Sequence, residues 1–375
     1  MALALFILCI AGIAWTLFGY PLLMRLMPRA HLVHTPDEVI PTVSDILTVF
    51  NEASSVRQKL LNTLELDWPA DRLQLIVVSD GSTDNTAEVV ASVADPRIRF
   101  IELATRSGKH VAQGAGVQRA DSQILVFTDV ATLLPSSSLR LLMRGFADPH
   151  VGCVSGVDRV TSVDGAVEGD ALYVRYEMHV RKLESRSGSI VCASGCFFAV
   201  RRELCEAWSN ELTSDFAIPM SLALRGIKSI SDPEAICTYH AVRSSEAEFE
   251  RKVRTITHGL RVVWVLRACL NPFRCGFFSI KLISHKVLRW ALPYMFVGAL
   301  IAGIYEFTID PLMAIGFLGL AAMLLVFAAT LVRPLTRFAG VRWCVFAVIS
   351  LAASVVALSL AFVRNDAGIW EPTKR

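Results

Sequence analysis

In the stretch Leu75 to Asp84, LIVVSDGSTD, an apolar run ends abruptly in two carboxylates set among small residues. Leu75, Ile76, Val77 and Val78 suit a strand covered on both faces, and Gly81, Ser82 and Thr83 supply turn chemistry. The pattern delivers Asp80 to the edge of a parallel sheet. Ligands of open α/β sheets bind beyond the carboxyl ends of the strands, so this carboxylate is a candidate acceptor for a bound polar molecule. The next segment, Thr83 to Val93, reads as a helix with Thr83 or Asp84 as its cap, and capping is the plain alternative for both carboxylates.

The elements that must position these groups recur along the chain. Strand candidates lie at Asp45 to Phe50, Leu75 to Asp80, Ile98 to Leu103, Ile124 to Asp129, Val151 to Val157 and Ile190 to Ala199, with helical stretches between several of them. This alternation argues for an α/β domain with a mostly parallel sheet. The segment 41–271, roughly 230 residues, suits one such domain. It holds no internal repeat and no low-complexity run.

Composition adds a membrane part, because 53% of residues are apolar and the mean hydropathy is +0.48. Leu3 to Met24 carries no charge and, at about 1.5 Å per residue, crosses a hydrocarbon core of roughly 30 Å. A signal peptide is the rival reading. The basic residues Arg25 and Arg29 follow the apolar run instead of preceding it, which favours an uncleaved anchor in residues 1–28, with the N-terminus outside and the next domain cytosolic. Residues 288–364 hold about three further spans, Leu288 to Phe307, Pro311 to Val332 and Arg342 to Val363. Arg333, Arg337 and Arg342 mark a cytosolic connection, whereas Arg364, Lys374 and Arg375 oppose that parity and leave the side of the 365–375 tail open. Between domain and spans, residues 272–287 have the mixed apolar and basic character of an amphipathic interfacial segment.

Several function classes drop out. None of the nine cysteines forms a C-x-x-C pair, and Cys192 and Cys196 lack the partners of a zinc site, so they read as buried thiols in a reducing cytosol. The net charge of +3 is explained by juxtamembrane basic residues, with no aromatic interleaving for a nucleic-acid platform. No G-x-G-x-x-G follows the first strand, which argues against a dinucleotide-dependent oxidoreductase.

A set of motifs in order carries a resemblance. These are Asp45 to Glu52 with its ILTVFNE, Asp80-Gly81-Ser82-Thr83-Asp84, Arg106-Ser107-Gly108-Lys109 followed by Gln113-Gly114-Ala115-Gly116, and Phe127-Thr128-Asp129. Ala193-Ser194-Gly195, Thr213-Ser214-Asp215-Phe216, Arg251 to Arg254 and His285-Lys286-Val287-Leu288-Arg289-Trp290 follow. The chain resembles membrane-anchored family 2 glycosyltransferases of GT-A (nucleotide-diphospho-sugar transferase) type, a group with cellulose, hyaluronan and chitin synthase-like and exopolysaccharide enzymes. The resemblance implies a nucleotide-sugar donor contacted by Asn51, Glu52, Asp80, Lys109, Asp129 and Arg254. Glu52 and Asp80 suit a uracil-like imide or a ribose hydroxyl, and Lys109 offsets phosphate charge or bonds to the base; a solvated loop lysine is the bland alternative. Asp129 stands at the D-x-D position and implies a divalent cation, Mg²⁺ or Mn²⁺, at the departing diphosphate. Here the sequence departs from the family: the motif reads Asp129-Val130-Ala131, so the second carboxylate is missing. His240 is a distant candidate ligand, or simply structural.

Asp215 takes the place of the family's catalytic base, with Ser214 where a first acid is usual; the alternative is a cap for a helix over Phe216 to Leu224. Arg254 holds the arginine position of Q-x-x-R-W, while Arg251 and Thr255 replace its glutamine and tryptophan. Arg254 would bind diphosphate, or with Arg251 and Lys252 meet anionic lipid. The implied activity is inverting hexosyl or N-acetylhexosaminyl transfer from a nucleoside-diphosphate sugar, UDP being the expected nucleotide, to a lipid-linked or growing surface-glycan acceptor. Membrane lipid and other glycan-assembly proteins are the remaining expected partners. A processive synthase is one rival reading. A catalytically impaired scaffold is the other, suggested by Ala131, Ser214 and Thr255.

Overall fold

The structure, a computed structural model, describes residues 1–30, 40–161, 168–205, 208–240, 245–309 and 339–363. Seven strands, β1 (Val43–Val49), β2 (Leu73–Ser79), β3 (Ile98–Glu102), β4 (Ile124–Thr128), β5 (Val151–Thr161), β6 (Phe197–Arg201) and β7 (Lys228–His240), form one sheet in the order β3-β2-β1-β4-β6-β5-β7. All pairs are parallel except those of β6, which runs against both β4 and β5. Alternate side chains build two cores: Leu47, Val77 and Val126 point to one face, and Ile46, Ile76 and Leu125 to the other. The chain runs from β1 outward to β3 and then returns to place β4 on the other side of β1, which makes the β1–β4 edge the topological switch point.

Three elements differ from the sequence expectation. The strand expected over Ile190 to Ala199 begins only at Phe197, because the amides before it bond elsewhere. Those of Ile190, Val191, Ala193 and Ser194 donate to the Ser229 carbonyl, the Glu184 carboxylate, the Asp215 carbonyl and the Ser155 hydroxyl. Strand β7 was not expected at all. Its Ser231-Asp232-Pro233-Glu234 stretch breaks the apolar pattern and is accommodated by a register shift opposite Ser155 and Val157. The helix after β2 also starts late, at Thr86, with Asn85 as its cap.

Among the described residues two helices are long and apolar enough to cross a membrane, Ala2–Leu26 (25 residues, mean hydropathy 2.3) and Phe277–Glu306 (30 residues, 1.7). They pack closely at small residues: a Cβ on Gly12 would lie 2.9 Å from the Met295 sulfur, and one on Gly298 3.0 Å from that of Cys9. Each contains a π-helical turn, Trp15–Gly19 and Ile283–Val287, and Trp15 Nε1 donates to Ser284 Oγ at 3.0 Å between them. The helix Ala339–Val363 lies on the domain helix Ser245–Val265, where Ala353 and Ala357 meet Ile256. The expected span Pro311 to Val332 and the 365–375 tail lie outside the described residues.

The apolar helices join the domain through a buried charged seam. Glu177 of the helix Glu168–Arg186 accepts from Lys286 Nζ (2.7 Å) and Arg289 Nη1 (2.5 Å), and lies 3.1 Å from His285 Nε2. Glu184, two turns further along the same face, meets His285 Nδ1 at 2.7 Å and the Tyr20 hydroxyl of the N-terminal helix. Lys281 Nζ donates to the carbonyls of Glu184, Ser187 and Ser189 at 3.1, 3.3 and 2.8 Å. Lys281 and His285, both within the 272–287 segment, thus point into the protein, while Phe273 is exposed.

Candidate active site

Three loops interlock beyond the carboxyl ends of β1 and β2. Asn51, just after β1, is the one non-glycine with a left-handed backbone among the described residues (φ +53°), a conformation asparagine tolerates. Its Oδ1 accepts the Thr83 amide at 2.8 Å, and its own amide donates to Ser82 Oγ at 3.1 Å. The Glu52 amide donates to Thr86 Oγ1 (3.0 Å) and the Ala53 amide to Asp84 Oδ2 (3.2 Å). Asp84 therefore braces one loop against another. Gly81 (φ +67°) lies under the third loop, where a Cβ would sit 2.6 Å from the Arg106 nitrogen. The Arg106 guanidinium in turn covers the Phe50 ring at 4.0 Å.

Asp80 is buried and accepts the amides of Ser107 (2.7 Å) and Gly108 (2.9 Å) with its two oxygens. It shapes the loop that enters the helix Lys109–Arg119. From the first residue of that helix, Lys109 Nζ reaches Asp129 Oδ1 at 2.5 Å. Burial, the largest single influence, pushes the ammonium down, but the charge and hydrogen bond of Asp129, together with smaller contributions from Cys196 and Asp215, leave Lys109 above its ordinary value.

The turn carrying Asp129 is gripped from beneath by residues that the sequence alone does not single out. Asp45, inside β1, accepts from Thr128 Oγ1 at 2.9 Å; the fully buried Lys59 donates to the Thr132 carbonyl at 3.1 Å. Burial raises Asp45 and lowers Lys59, and each charge partly offsets the other's shift. The Asn62 amide completes the grip, accepting from the Leu134 amide and donating to its carbonyl, both at 2.8 Å. The signal in the sequence was a carboxylate in the middle of an apolar strand. His240 instead sits at the end of β7, with Nδ1 3.0 Å from Thr161 Oγ1. Among the described residues no three His, Cys, Asp or Glu side chains converge to hold a metal ion.

Asp215 lies in the first turn of the helix Ser214–Leu224, with Thr213 at the cap position. Pro219, four residues on, has no amide to give the Asp215 carbonyl, and the Ala193 amide donates there instead at 2.8 Å. The proline thus lets the helix hold the Ala193 to Gly195 loop. A Cβ on Gly195 would lie 3.3 Å from Asp215 Oδ2. Ser214 Oγ donates to Gln113 Oε1 at 3.0 Å, tying this helix to the one that starts at Lys109. Burial raises the Asp215 carboxyl above the usual carboxylate range, with Lys109 and Arg181 opposing the shift. Cys192 Sγ lies 4.0 Å from Asp215 Oδ2, its thiol pushed up to about 12 by burial.

The helix Ser245–Val265 brings Arg254 to the same side. The His258 ring, one turn after Arg254, lies 6.2 Å from that of His110, the neighbour of Lys109. Burial and then the Arg254 charge hold His258 below its ordinary value. Arg251 and Lys252 are ion-paired to the buried Glu248 at 2.8 and 3.3 Å. Thr255 Oγ1 bonds back to the Arg251 carbonyl. A cavity of about 740 Å³ lies elsewhere, at the opposite ends of the strands, lined by Pro41, Asp121, Gln123 and Arg202.

A mostly parallel sheet of this order, with the loops after β1, β2 and β4 converging at its switch point, defines a GT-A, nucleotide-diphospho-sugar transferase fold. It superposes on a mannosyltransferase from Pyrobaculum calidifontis, solved with GDP-Man and Mn²⁺, with a TM-score of 0.75, 24% identity, and coverage of 96% of this chain and 100% of that one. Residues 44–208, somewhat less than half of the chain, match the family Glycosyl transferase family 2. It is 23% identical over 244 residues to the poly-beta-1,6-N-acetyl-D-glucosamine synthase of Staphylococcus epidermidis, matching 63% of this chain and 58% of that enzyme. The corresponding enzyme of Staphylococcus aureus is 23% identical over 230 residues, 59% of this chain and 55% of its own. The chain thus spans less than three fifths of the length of these curated relatives.

Proposed function

We propose that the chain is an inverting glycosyltransferase anchored in a membrane, with its catalytic domain cytosolic, moving a sugar from a nucleoside-diphosphate sugar, UDP being the expected nucleotide, to a lipid-linked or growing surface-glycan acceptor. The observation that carries this reading is Asp215: half-buried, raised in pKa by desolvation, without an ion pair among the described residues, and facing Gly195 across a helix end linked to the Lys109 helix. A desolvated carboxylate of this kind is a stronger general base than an exposed one. It takes the proton of the acceptor hydroxyl as that oxygen attacks the anomeric carbon; the bond from that carbon to the diphosphate oxygen breaks, and its electron pair leaves with the nucleotide. Asn51 and Glu52 border the nucleoside, Asp80 holds the loop, and Lys109 and Arg254 face the diphosphate. The apolar helices Ala2–Leu26 and Phe277–Glu306 support the membrane anchoring.

Similarity to polymer-forming synthases favours a second reading, processive addition, whereas Thr255 in the tryptophan position favours single additions. The test is nucleotide release by the detergent-solubilised protein from UDP-, GDP- and dTDP-sugars with a membrane lipid extract, beside Asp215→Asn. Consumption of one donor by the parent protein and donor binding without turnover by the variant is the expected result; product length separates the two readings. A folded protein that turns over no donor overturns the proposal in favour of a scaffold.

A further inference from the structure

A departing diphosphate must be met by positive charge, and the end of β4 restricts what can supply it. The carboxylate there, Asp129, is already 2.5 Å from Lys109 Nζ, with only 27% and 13% of the two side chains exposed. The second motif position is Ala131. Beneath the same turn lies the fully buried Lys59 ammonium, bonded to the Thr132 carbonyl. A dication on Asp129 would have to displace one lysine and face another, with no second carboxylate from the motif to compensate. The residues present do not fit a protein-held divalent ion. Lys109 can do the neutralising instead. An ammonium carries three donors, so one can stay on Asp129 while the others meet phosphate oxygens, and this lysine opens a helix whose positive end adds to its charge.

We propose that Lys109 supplies the charge for the donor diphosphate in place of a divalent cation, with Asp129 as its positioning residue, so that nucleotide binding by this chain does not require a divalent metal. This rests on the transferase reading above. The test is calorimetric binding of UDP, GDP and dTDP to the full-length protein in detergent, with EDTA and with Mn²⁺, alongside Mn²⁺ alone followed by its electron paramagnetic resonance. The preferred nucleotide is expected to bind in EDTA within about threefold of its Kd in Mn²⁺. Lys109→Gln is expected to weaken that binding by about tenfold or more and Lys109→Arg to retain most of it, with folding checked by circular dichroism. Unchanged binding by Lys109→Gln overturns the proposal. Binding that appears only with Mn²⁺, together with a Mn²⁺ signal abolished by Asp129→Asn, overturns it and leaves the transferase reading intact. A folded protein that binds no nucleotide under either condition overturns both.

Discussion

The cleft beyond β1, β2 and β4 and the seam between Glu168–Arg186 and the apolar helices are both dense in charge, yet they differ in how that charge is answered. In the seam, Glu184 and His285 are 0% and 1% exposed; Lys286 and Arg289 answer Glu177, and the His285 ring, the Tyr20 hydroxyl and the Val191 amide answer Glu184, so both glutamates have internal partners. In the cleft, the loops are locked by short polar side chains and backbone amides, and the charged groups are left at a part-exposed edge. Charge density alone therefore does not mark the working site. What distinguishes the cleft is that a ligand can compete for its pairs.

The comparison breaks most sharply at Asp215. Asp215→Asn is expected to lower turnover by about 10²- to 10⁴-fold, the usual share of a general base, while the melting temperature holds or rises because a desolvated carboxyl becomes a neutral amide. Glu184→Gln should do the opposite: about 3–5 kcal/mol of stability lost, since His285 and Tyr20 lose their charged partner inside the protein, with turnover per folded molecule little changed. Denaturant titration in detergent beside donor turnover would measure both. A catalytic loss in Glu184→Gln as deep as that of Asp215→Asn would erase the distinction between the regions.

Titration sharpens it next. Burial raises Asp215, so its base form is populated only above the ordinary aspartate value of about 4, and the acidic limb of kcat/KM should lie above that pH. Glu177 moves the other way. Burial alone would raise it, but His285, Lys286 and Arg289 hold it well below the usual range. A carboxylate depressed by folding contributes stability that is complete above its unfolded value of about 4.3 and disappears as pH falls through the folded value. Activity should therefore fall on acidification before the seam loosens, and a pH–rate profile beside a pH–stability profile checks that order.

How much of this was legible in the sequence follows the distance between partners. Asp80 and Asp129 were readable because each ends its own apolar strand, and the turn at Gly81 announced itself within five residues. The Lys281, His285 and Lys286 cluster was not, because its carboxylates lie on a helix about a hundred positions away, as the His285–Glu184 separation of 101 shows. Asp45 was visible but mute: a charge in an apolar strand reports burial, while its partners Thr128 and Lys59 come from other elements. Strand β7 was hidden by its own bulge at Pro233.

Gly81→Ala is expected to cost about 1–2 kcal/mol from its left-handed backbone alone, with more from the approach of a Cβ to the Arg106 nitrogen at 2.6 Å. The smallest effect belongs to Asn51. Glycine at this position keeps φ +53° without strain and removes only the acceptor of the Thr83 amide, a bond at the exposed surface that water can replace, so about 0.5–1 kcal/mol is the expected loss. Asn51→Ala removes the same acceptor and adds the left-handed penalty of about 1 kcal/mol. The difference between the two variants isolates how firmly the first loop's backbone is dictated by its neighbours. Nucleotide affinity should follow that backbone term: close to the parent in Asn51→Gly and weaker in Asn51→Ala. Affinities equally weaker than the parent's in both variants would mean that the asparagine side chain, and not the turn it stabilises, is what the nucleotide meets.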